Sequence, residues 1–258
     1  MKTLVFEKLH GLGNDFMLLD WRDASRAVTL DAELISRWAE RRFGVGFDQL
    51  IVLSEQQRQI QYHFYNADGG AAEQCGNGQR AIAHYLYHQG ELDEPRTIQG
   101  AGGSVTLTYQ DEDHISVVLS QQVNHQPQTI AGVSGYFVNL GNPHWAYVAE
   151  DLGQTDLNAI SEQAMQAYDR GVNTEAIHRV SEDHIRIRVI ERGVGETLAC
   201  GSGACAAAIA AGQLLGTTNP IRVSMPGGDV TVSYDLGCDK ITLMGPARSI
   251  YRGQINHE

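Results

Sequence analysis

The chain repeats itself. Cys75-Gly76-Asn77-Gly78 recurs as Cys200-Gly201-Ser202-Gly203, 125 positions later, and Gly102-Gly103-Ser104-Val105-Thr106-Leu107-Thr108-Tyr109 recurs as Gly227-Gly228-Asp229-Val230-Thr231-Val232-Ser233-Tyr234 at the same offset. The alternating segments Ile60 to Tyr65 and Ile185 to Ile190 share that spacing. Each reads as a half-buried strand running toward a Cys-Gly turn. Leu12-Gly13-Asn14 pairs more loosely with Leu140-Gly141-Asn142, 128 positions on, a difference that a few loop residues account for. One offset shared by separate motifs implies an internal duplication, so the fold must be one that a half-length unit adopts twice. The expected units are residues 1–122 and 123–258, the second leaving room for a terminal strand to cross back, and both are of ordinary domain size. Between them Gln121-Gln122-Val123-Asn124-His125-Gln126-Pro127-Gln128 has no helical or strand periodicity and reads as a linker.

Within each half the order is strand, helix, strands, Cys-Gly turn, helix, then more strands. The early helix is expected over Ala32 to Phe43, capped by Asp31, stopped by Gly44, and burying Leu34, Ile35, Trp38 and Ala39. After the turns come helices Gln79 to His88, ending at Gly90, and Ala204 to Leu215, ending at Gly216. The second is so rich in alanine that neighbouring elements must approach it closely. The fold class is therefore mixed α/β in two similar domains.

Charge narrows the partners. With 19 Lys+Arg against 31 Asp+Glu the formal net charge is −12, which disfavours nucleic acid and anionic membrane. The longest apolar stretch, Ala204 to Ala211, is far short of the ~20 residues of a membrane helix. Lys2, Glu7 and Lys8 interrupt any signal-peptide core, so the expected location is cytoplasmic. Four cysteines in a chain of this length form no disulfide framework. Cys205, inside the alanine helix, and Cys238, without an internal counterpart, read as inert.

Cys75 and Cys200 are different because the repeat preserves them. Each sits where a strand yields to glycines and a helix begins, so the helix dipole and unpaired N–H groups favour thiolate, and the glycines let backbone donors approach an anion such as a carboxylate. Two such thiols, one on each side of a bound carbon, suit stereoinversion: one removes a proton and the other delivers one to the opposite face. No Cys-x-x-Cys pair or neighbouring His pair supports zinc beside them. His84 and His88 have i, i+4 spacing but no His-Glu-x-x-His acid, and read as surface histidines; no metal is expected. Neither glycine turn carries the Gly-Lys-Ser/Thr ending of a phosphate loop. Lysine is scarce, with only Lys2, Lys8 and Lys240, which disfavours a pyridoxal phosphate Schiff base and favours chemistry without a cofactor.

Several segments together carry a family resemblance: His10 to Phe16 (HGLGNDF), Gly44 to Gln49 (GVGFDQ), Asn66 to Gly69 (NADG), Glu73 to Gly78 (EQCGNG), Gly141 to His144 (GNPH) and Glu191 to Gly203 (ERGVGETLACGSG). Over essentially its full length the chain resembles the diaminopimelate epimerases, of the pyridoxal-independent two-cysteine epimerases. The resemblance implies interconversion of LL- and meso-diaminopimelate on the route to lysine and peptidoglycan. It also implies two similar α/β domains, each with strands wrapped around a central helix and the catalytic site between them. It assigns Cys75 and Cys200 as acid and base, and Gly76, Asn77, Gly201 and Ser202 as donors to the α-carboxylate. Asn14, Gln49, Asn66, Asn142, Asn173, Glu191 and Arg192 match the remaining substrate contacts, with Arg192 gripping the distal carboxylate. His144 and Glu191 match residues that tune the thiols, and Tyr251 a homodimer contact. The segment after Asn173, Thr174-Glu175-Ala176-Ile177, departs from the more hydrophobic strand common among relatives. A proline-type or histidine-type racemase or a phenazine-pathway isomerase would share this fold. Arg192 with Asn66 and Asn173 favours a long substrate with a second charged end, and the two reactive thiols argue against a non-catalytic binding protein.

Overall fold

The structure is a computed structural model that describes residues 2–72, 74–120 and 122–257. Its contacts divide the chain into one unit of Met1–Val117 with Pro246–Glu258 and a second of Val118–Gly245. The division thus falls at 117/118 rather than at the expected 122/123.

In chain order the elements are β1 (Lys2–Gly11), β2 (Asn14–Asp20), α1 (Ala32–Ala39), β3 (Gln49–Gln56), β4 (Gln59–Asn66), β5 (Ala71–Ala72), α2 (Gly76–His88), β6 (Arg96–Gly100), β7 (Gly103–Tyr109) and β8 (Ile115–Ser120). There follow β9 (Asn124–Ile130), β10 (Val133–Asn139), β11 (Pro143–Val148), α3 (Leu157–Gln166), β12 (Asn173–Arg179), β13 (His184–Glu191), β14 (Gly195–Thr197), α4 (Gly201–Leu215), β15 (Ile221–Met225), β16 (Gly228–Asp235), β17 (Lys240–Gly245) and β18 (Arg248–His257).

The strand pairing reproduces the sequence repeat. In the first unit β1 and β2 are antiparallel, β2 and β3 parallel across α1, β3 and β4 antiparallel; β4 then takes β5 antiparallel and, after α2, β6 parallel, and β6 pairs antiparallel with β7. In the second unit β10 to β16 repeat every step, with α3 and α4 in the places of α1 and α2. Even the outer strand is matched, since β18 lies antiparallel on β1 as β9 lies on β10. This is the two-fold mixed α/β architecture expected from the repeat.

The polar run read as a linker is therefore corrected: from Asn124 onward it is strand β9. Its side chains are mostly exposed, so nothing forces apolar alternation, while its backbone groups are satisfied by β10. Gln121 lies outside the described residues.

Each unit gathers its strands around one helix. Helix α4 touches β10, β11, β12, β13, β15, β16 and β17. Ala204, Cys205, Ala206, Ala207, Ala208, Ile209, Ala210 and Ala211 are all fully buried, because only small side chains let strands surround a helix so closely. Helix α2 touches β1, β2, β7 and β18. Helix α1 has the expected cap, Asp31 Oδ1 accepting from the Leu34 amide at 2.8 Å, and buries the expected four residues. It stops at Ala39 rather than Phe43, because the Glu40 carboxylate accepts the amides of Arg42 and Phe43 and turns the chain early. Helices α2 and α4 start at Gly76 and Gly201, three residues before the expected points. The sulfur atoms of Cys75 and Cys200 cap them there.

Candidate active site

In the first unit Cys75 is the N-cap of α2. Its backbone is extended, and Sγ accepts from the Gly78 amide at 3.4 Å, satisfying one of the free N–H groups of the first turn. The thiol, half-buried, also lies 3.5 Å from Asn14 Oδ1, which accepts from Asn77 Nδ2 at 3.3 Å. Asn77 is buried, and its own Oδ1 accepts from Arg80 Nη2 at 2.6 Å, which fixes the amide orientation. Arg80, fully buried, donates further to the carbonyls of Pro246 and Gly76. Asn14 is held from its other side by Asp48 Oδ2 at 3.0 Å. Arg41 grips Asp15 through both terminal nitrogens and reaches Asp48 at 2.7 Å, while Lys8 pairs with Asp15 at 2.5 Å and with the Gly46 carbonyl. Burial pulls the Asp15 carboxyl upward, but the hydrogen bonds from Arg41 and Lys8 outweigh it and hold its pKa at about 2. Gln49 and Asn66 sit opposite each other in β3 and β4, with Gln49 Nε2 donating to Asn66 Oδ1 at 2.9 Å. Among the described residues the buried Gln49 Oε1 has no partner.

The second unit builds the same turn. Cys200 caps α4, with Sγ 3.4 Å from the Gly203 amide and 3.6 Å from Ser202 Oγ. Ser202 accepts from Asn142 Nδ2 at 3.1 Å, as Asn77 meets Asn14 in the first unit. Asn173 Oδ1 accepts the Arg192 amide at 2.8 Å, and its amide nitrogen lies 3.5 Å from His144 Nε2. That contact leaves the ring proton on Nδ1, 2.6 Å from Glu175 Oε1. Both partners of this pair are fully buried. Burial raises the Glu175 pKa, and His144 opposes the rise. Glu191 accepts from Thr197 Oγ1 at 2.6 Å. The exposed Arg192 donates to the Arg170 carbonyl at 2.8 Å, and among the described residues it makes no ion pair.

Thiolate is not favoured at Cys200. Burial, first, and then the carboxylates of Glu191 and Glu175 push its pKa well above the ordinary thiol value; the Ser202 and Gly203 hydrogen bonds pull the other way and lose. The expectation from the helix N-terminus is corrected here because desolvation of a fully buried sulfur outweighs a partial charge.

The expected site residues gather as two clusters, one per unit. Asn14, Gln49, Asn66, Cys75, Gly76 and Asn77 occupy positions that correspond through the strand pairing to Asn142, Asn173, Glu191, Cys200, Gly201 and Ser202. Tyr251 lies apart from both, on β18, 45% exposed and edge-on to Phe6 with ring centroids 5.9 Å apart. Sequence reasoning missed Glu175, the Asp15–Asp48–Arg41 network and Arg80. The signals were there: an acid in the strand Asn173-Thr174-Glu175-Ala176-Ile177, and two aspartates inside segments that already carried the resemblance. Glu73 of the first Cys segment lies outside the described residues. His84 is corrected from surface to buried, at 3% exposed.

A profile of the diaminopimelate epimerase family matches residues 6–125 and 136–250. Diaminopimelate epimerases of Acinetobacter baumannii, strains AYE and AB307-0294, are each 33% identical to the chain over 98% of its length and 97% of theirs. Among solved structures, a phenazine biosynthesis protein of the PhzF family from Bacillus anthracis superposes with a TM-score of 0.76 at 15% identity, covering 100% of both chains. A hydroxyproline epimerase from Agrobacterium vitis superposes with a TM-score of 0.69 at 12% identity, covering 98% of this chain and 92% of its own. The structural likenesses show the duplicated fold. The profile spanning both halves and the full-length identity show more, and place the chain in the diaminopimelate epimerase family.

Proposed function

We propose that this protein interconverts LL- and meso-diaminopimelate, with Cys75 and Cys200 as its acid–base pair. The observation that carries this reading is the pair of cysteine-capped helices at matching places of a duplicated fold, each flanked by an amide or hydroxyl held in place: Asn14 and Asn77 at Cys75, Asn142 and Ser202 at Cys200. One sulfur, as thiolate, takes the Cα proton, leaving the electron pair on the α-carbon and its carboxylate. The other, as thiol, gives its proton to the opposite face, and the two exchange roles for the reverse direction. Cys200, held as a neutral thiol, is set to donate first. The backbone amides of each helix's first turn, with Asn77 and Ser202, supply donors for the α-carboxylate. Arg192, without an acidic partner among the described residues, receives the distal carboxylate in the two-pronged fashion of guanidinium. Two of the three lysines are engaged elsewhere: Lys8 pairs with Asp15, and Lys2 donates to the carbonyls of Ser25 and Ala27.

The reading extends to a cytoplasmic homodimer in which Tyr251 makes a subunit contact. Val5, Ile250 and Tyr251 on the paired strands β1 and β18 expose 41%, 53% and 45% of their surfaces, apolar area that a partner subunit would cover. No helix among the described residues is long and apolar enough to cross a membrane.

The test is solvent-deuterium incorporation at Cα of LL-diaminopimelate by the reduced protein. Label should appear first in the epimer, because the sulfur facing the original side holds the proton taken from the substrate while the opposite sulfur delivers one from solvent. Failure to exchange the Cα proton, or equal turnover of lysine and diaminopimelate, would overturn the proposal. Lysine lacks the distal carboxylate.

A further inference from the structure

Far from Cys75 along the same helix, α2 ends in two histidines that the chemistry above does not use. His84 and His88 are one turn apart, their ring centroids 4.4 Å from each other. Between β7 and β8 the chain turns through Asp111-Glu112-Asp113, and this turn brings Glu112 beside them: one nitrogen of each ring and one carboxylate oxygen all lie within 4.8 Å of one another.

We propose that His84, His88 and Glu112 form a binding site for a divalent transition-metal ion of the zinc, cobalt or nickel class. Two imidazole nitrogens and a carboxylate oxygen are the donor set such ions take, and the fourth position falls to water.

The independent observation is His84 itself. It is buried to 3% exposure, yet neither ring nitrogen has a hydrogen-bond partner among the described residues. Its Nε2 points toward Glu112 Oε1 at 3.8 Å, too far for a hydrogen bond. Buried ring nitrogens are rarely left this way, and an ion bound to one of them is among the few arrangements that satisfy it.

The surroundings tolerate a cation. Arg248 is the neighbouring positive group, and it is occupied by Glu112 Oε2 at 3.1 Å and Asp113 Oδ1 at 2.5 Å, leaving Oε1 free toward the histidines. Tetrahedral bonds of about 2.0–2.1 Å bring donor atoms to roughly 3.4 Å from one another. The contraction from 4.8 Å falls on His88 and Glu112, both exposed and able to turn. A bound ion would tie the end of α2 to the β7–β8 connection.

The test is titration of the full chain with zinc by calorimetry, and with cobalt by visible absorption, after the thiols are blocked with iodoacetamide. The expected result is one ion per chain, a cobalt spectrum without thiolate charge transfer, and a rise in unfolding temperature with zinc. His88→Ala and Glu112→Gln, both at exposed positions, should each weaken binding by about tenfold or more with unchanged circular dichroism. No saturable binding up to ~1 mM zinc, an affinity at the bottom of the specific range, would overturn the site. So would saturable binding with equal affinity in wild type and both variants.

Discussion

The Cys75 and Cys200 turns have the same backbone and different chemistry. In both, an extended cysteine ends the approach from a strand, its sulfur accepts an amide at 3.4 Å, and a glycine-rich first turn follows. Beyond the turn the helices diverge. Helix α2 buries Asn77, Gln79, Arg80 and His84, each a polar group requiring partners, whereas α4 buries an unbroken run from Gly203 to Ala211 without a polar side chain other than the thiol of Cys205. Cys75 keeps part of its surface, while Cys200 is 5% exposed and has Glu175 and Glu191 near it. Duplication has preserved what the backbone alone sets. The affinity of each sulfur for its proton is set by side chains from other strands, and there the halves are free to differ.

The comparison can be broken most severely at the sulfurs. Cys75→Ala and Cys200→Ala should each lower the rate of epimerisation by at least about 100-fold, the lower range for general acid–base catalysis, with the fold retained. A single variant with near-normal turnover would show that one half suffices. Arg192 is the next asymmetry, because the matching position of the first unit holds Ala67. Arg192 is exposed here and would be desolvated only against the distal carboxylate of bound substrate, where loss of one member of a charge pair costs about 2–5 kcal/mol, so Arg192→Met should lower kcat/KM for LL-diaminopimelate by roughly 30-fold or more.

Acid should act on the first unit through His84, a buried imidazole whose ring nitrogens lack hydrogen-bond partners among the described residues. The His84 pKa is lowered from 6.5 to about 4, so below 6.5 the unfolded chain takes up a proton that the folded chain refuses. Stability therefore falls as pH drops from 6.5 toward 4, by up to about 3 kcal/mol from this group. Urea midpoints across that range should show a flatter slope in His84→Gln. The matched glycines give a smaller contrast. A Cβ on Gly78 would lie 2.6 Å from Phe64 Cε1 inside a fixed aromatic contact, whereas one on Gly203 would lie 3.0 Å from Glu175 Oε1. Gly78→Ala should cost about 1–3 kcal/mol in chemical denaturation, and Gly203→Ala less. Smallest of all, Glu191→Gln removes one of the charges raising the Cys200 pKa, and should speed alkylation of that thiol roughly threefold at fixed pH, followed by mass spectrometry.

Much of this molecule was legible in its sequence because the repeat constrains it twice. Two copies of one motif locate the strands, the turns and both cysteines with no knowledge of tertiary contacts. The buried face of α1 was legible for a related reason, since Leu34, Ile35, Trp38 and Ala39 follow the helical period. What escaped was decided at longer range. Strand β9 is held by backbone pairing to β10 and needs no apolar pattern. The burial of His84 depends on β7 and the turn after it, Glu175 acquires meaning only beside His144 and Cys200, and the proton state of Cys200 reflects desolvation that no local spacing encodes.

The return of β18 to β1 has a consequence for the order in which this protein can take shape. Lys2 pairs in register with His257, and the ladder continues to His10 opposite Arg248. The first unit is thus threaded around the second in the linear chain, and its outermost strand is made after the second is finished. During synthesis the residues from Val118 to Gly245 emerge as one uninterrupted block, able to close on themselves. The block that emerges earlier must wait, with one edge of β1 unpaired, for the final ten-residue strand. The half of the molecule that is translated first is the one completed last.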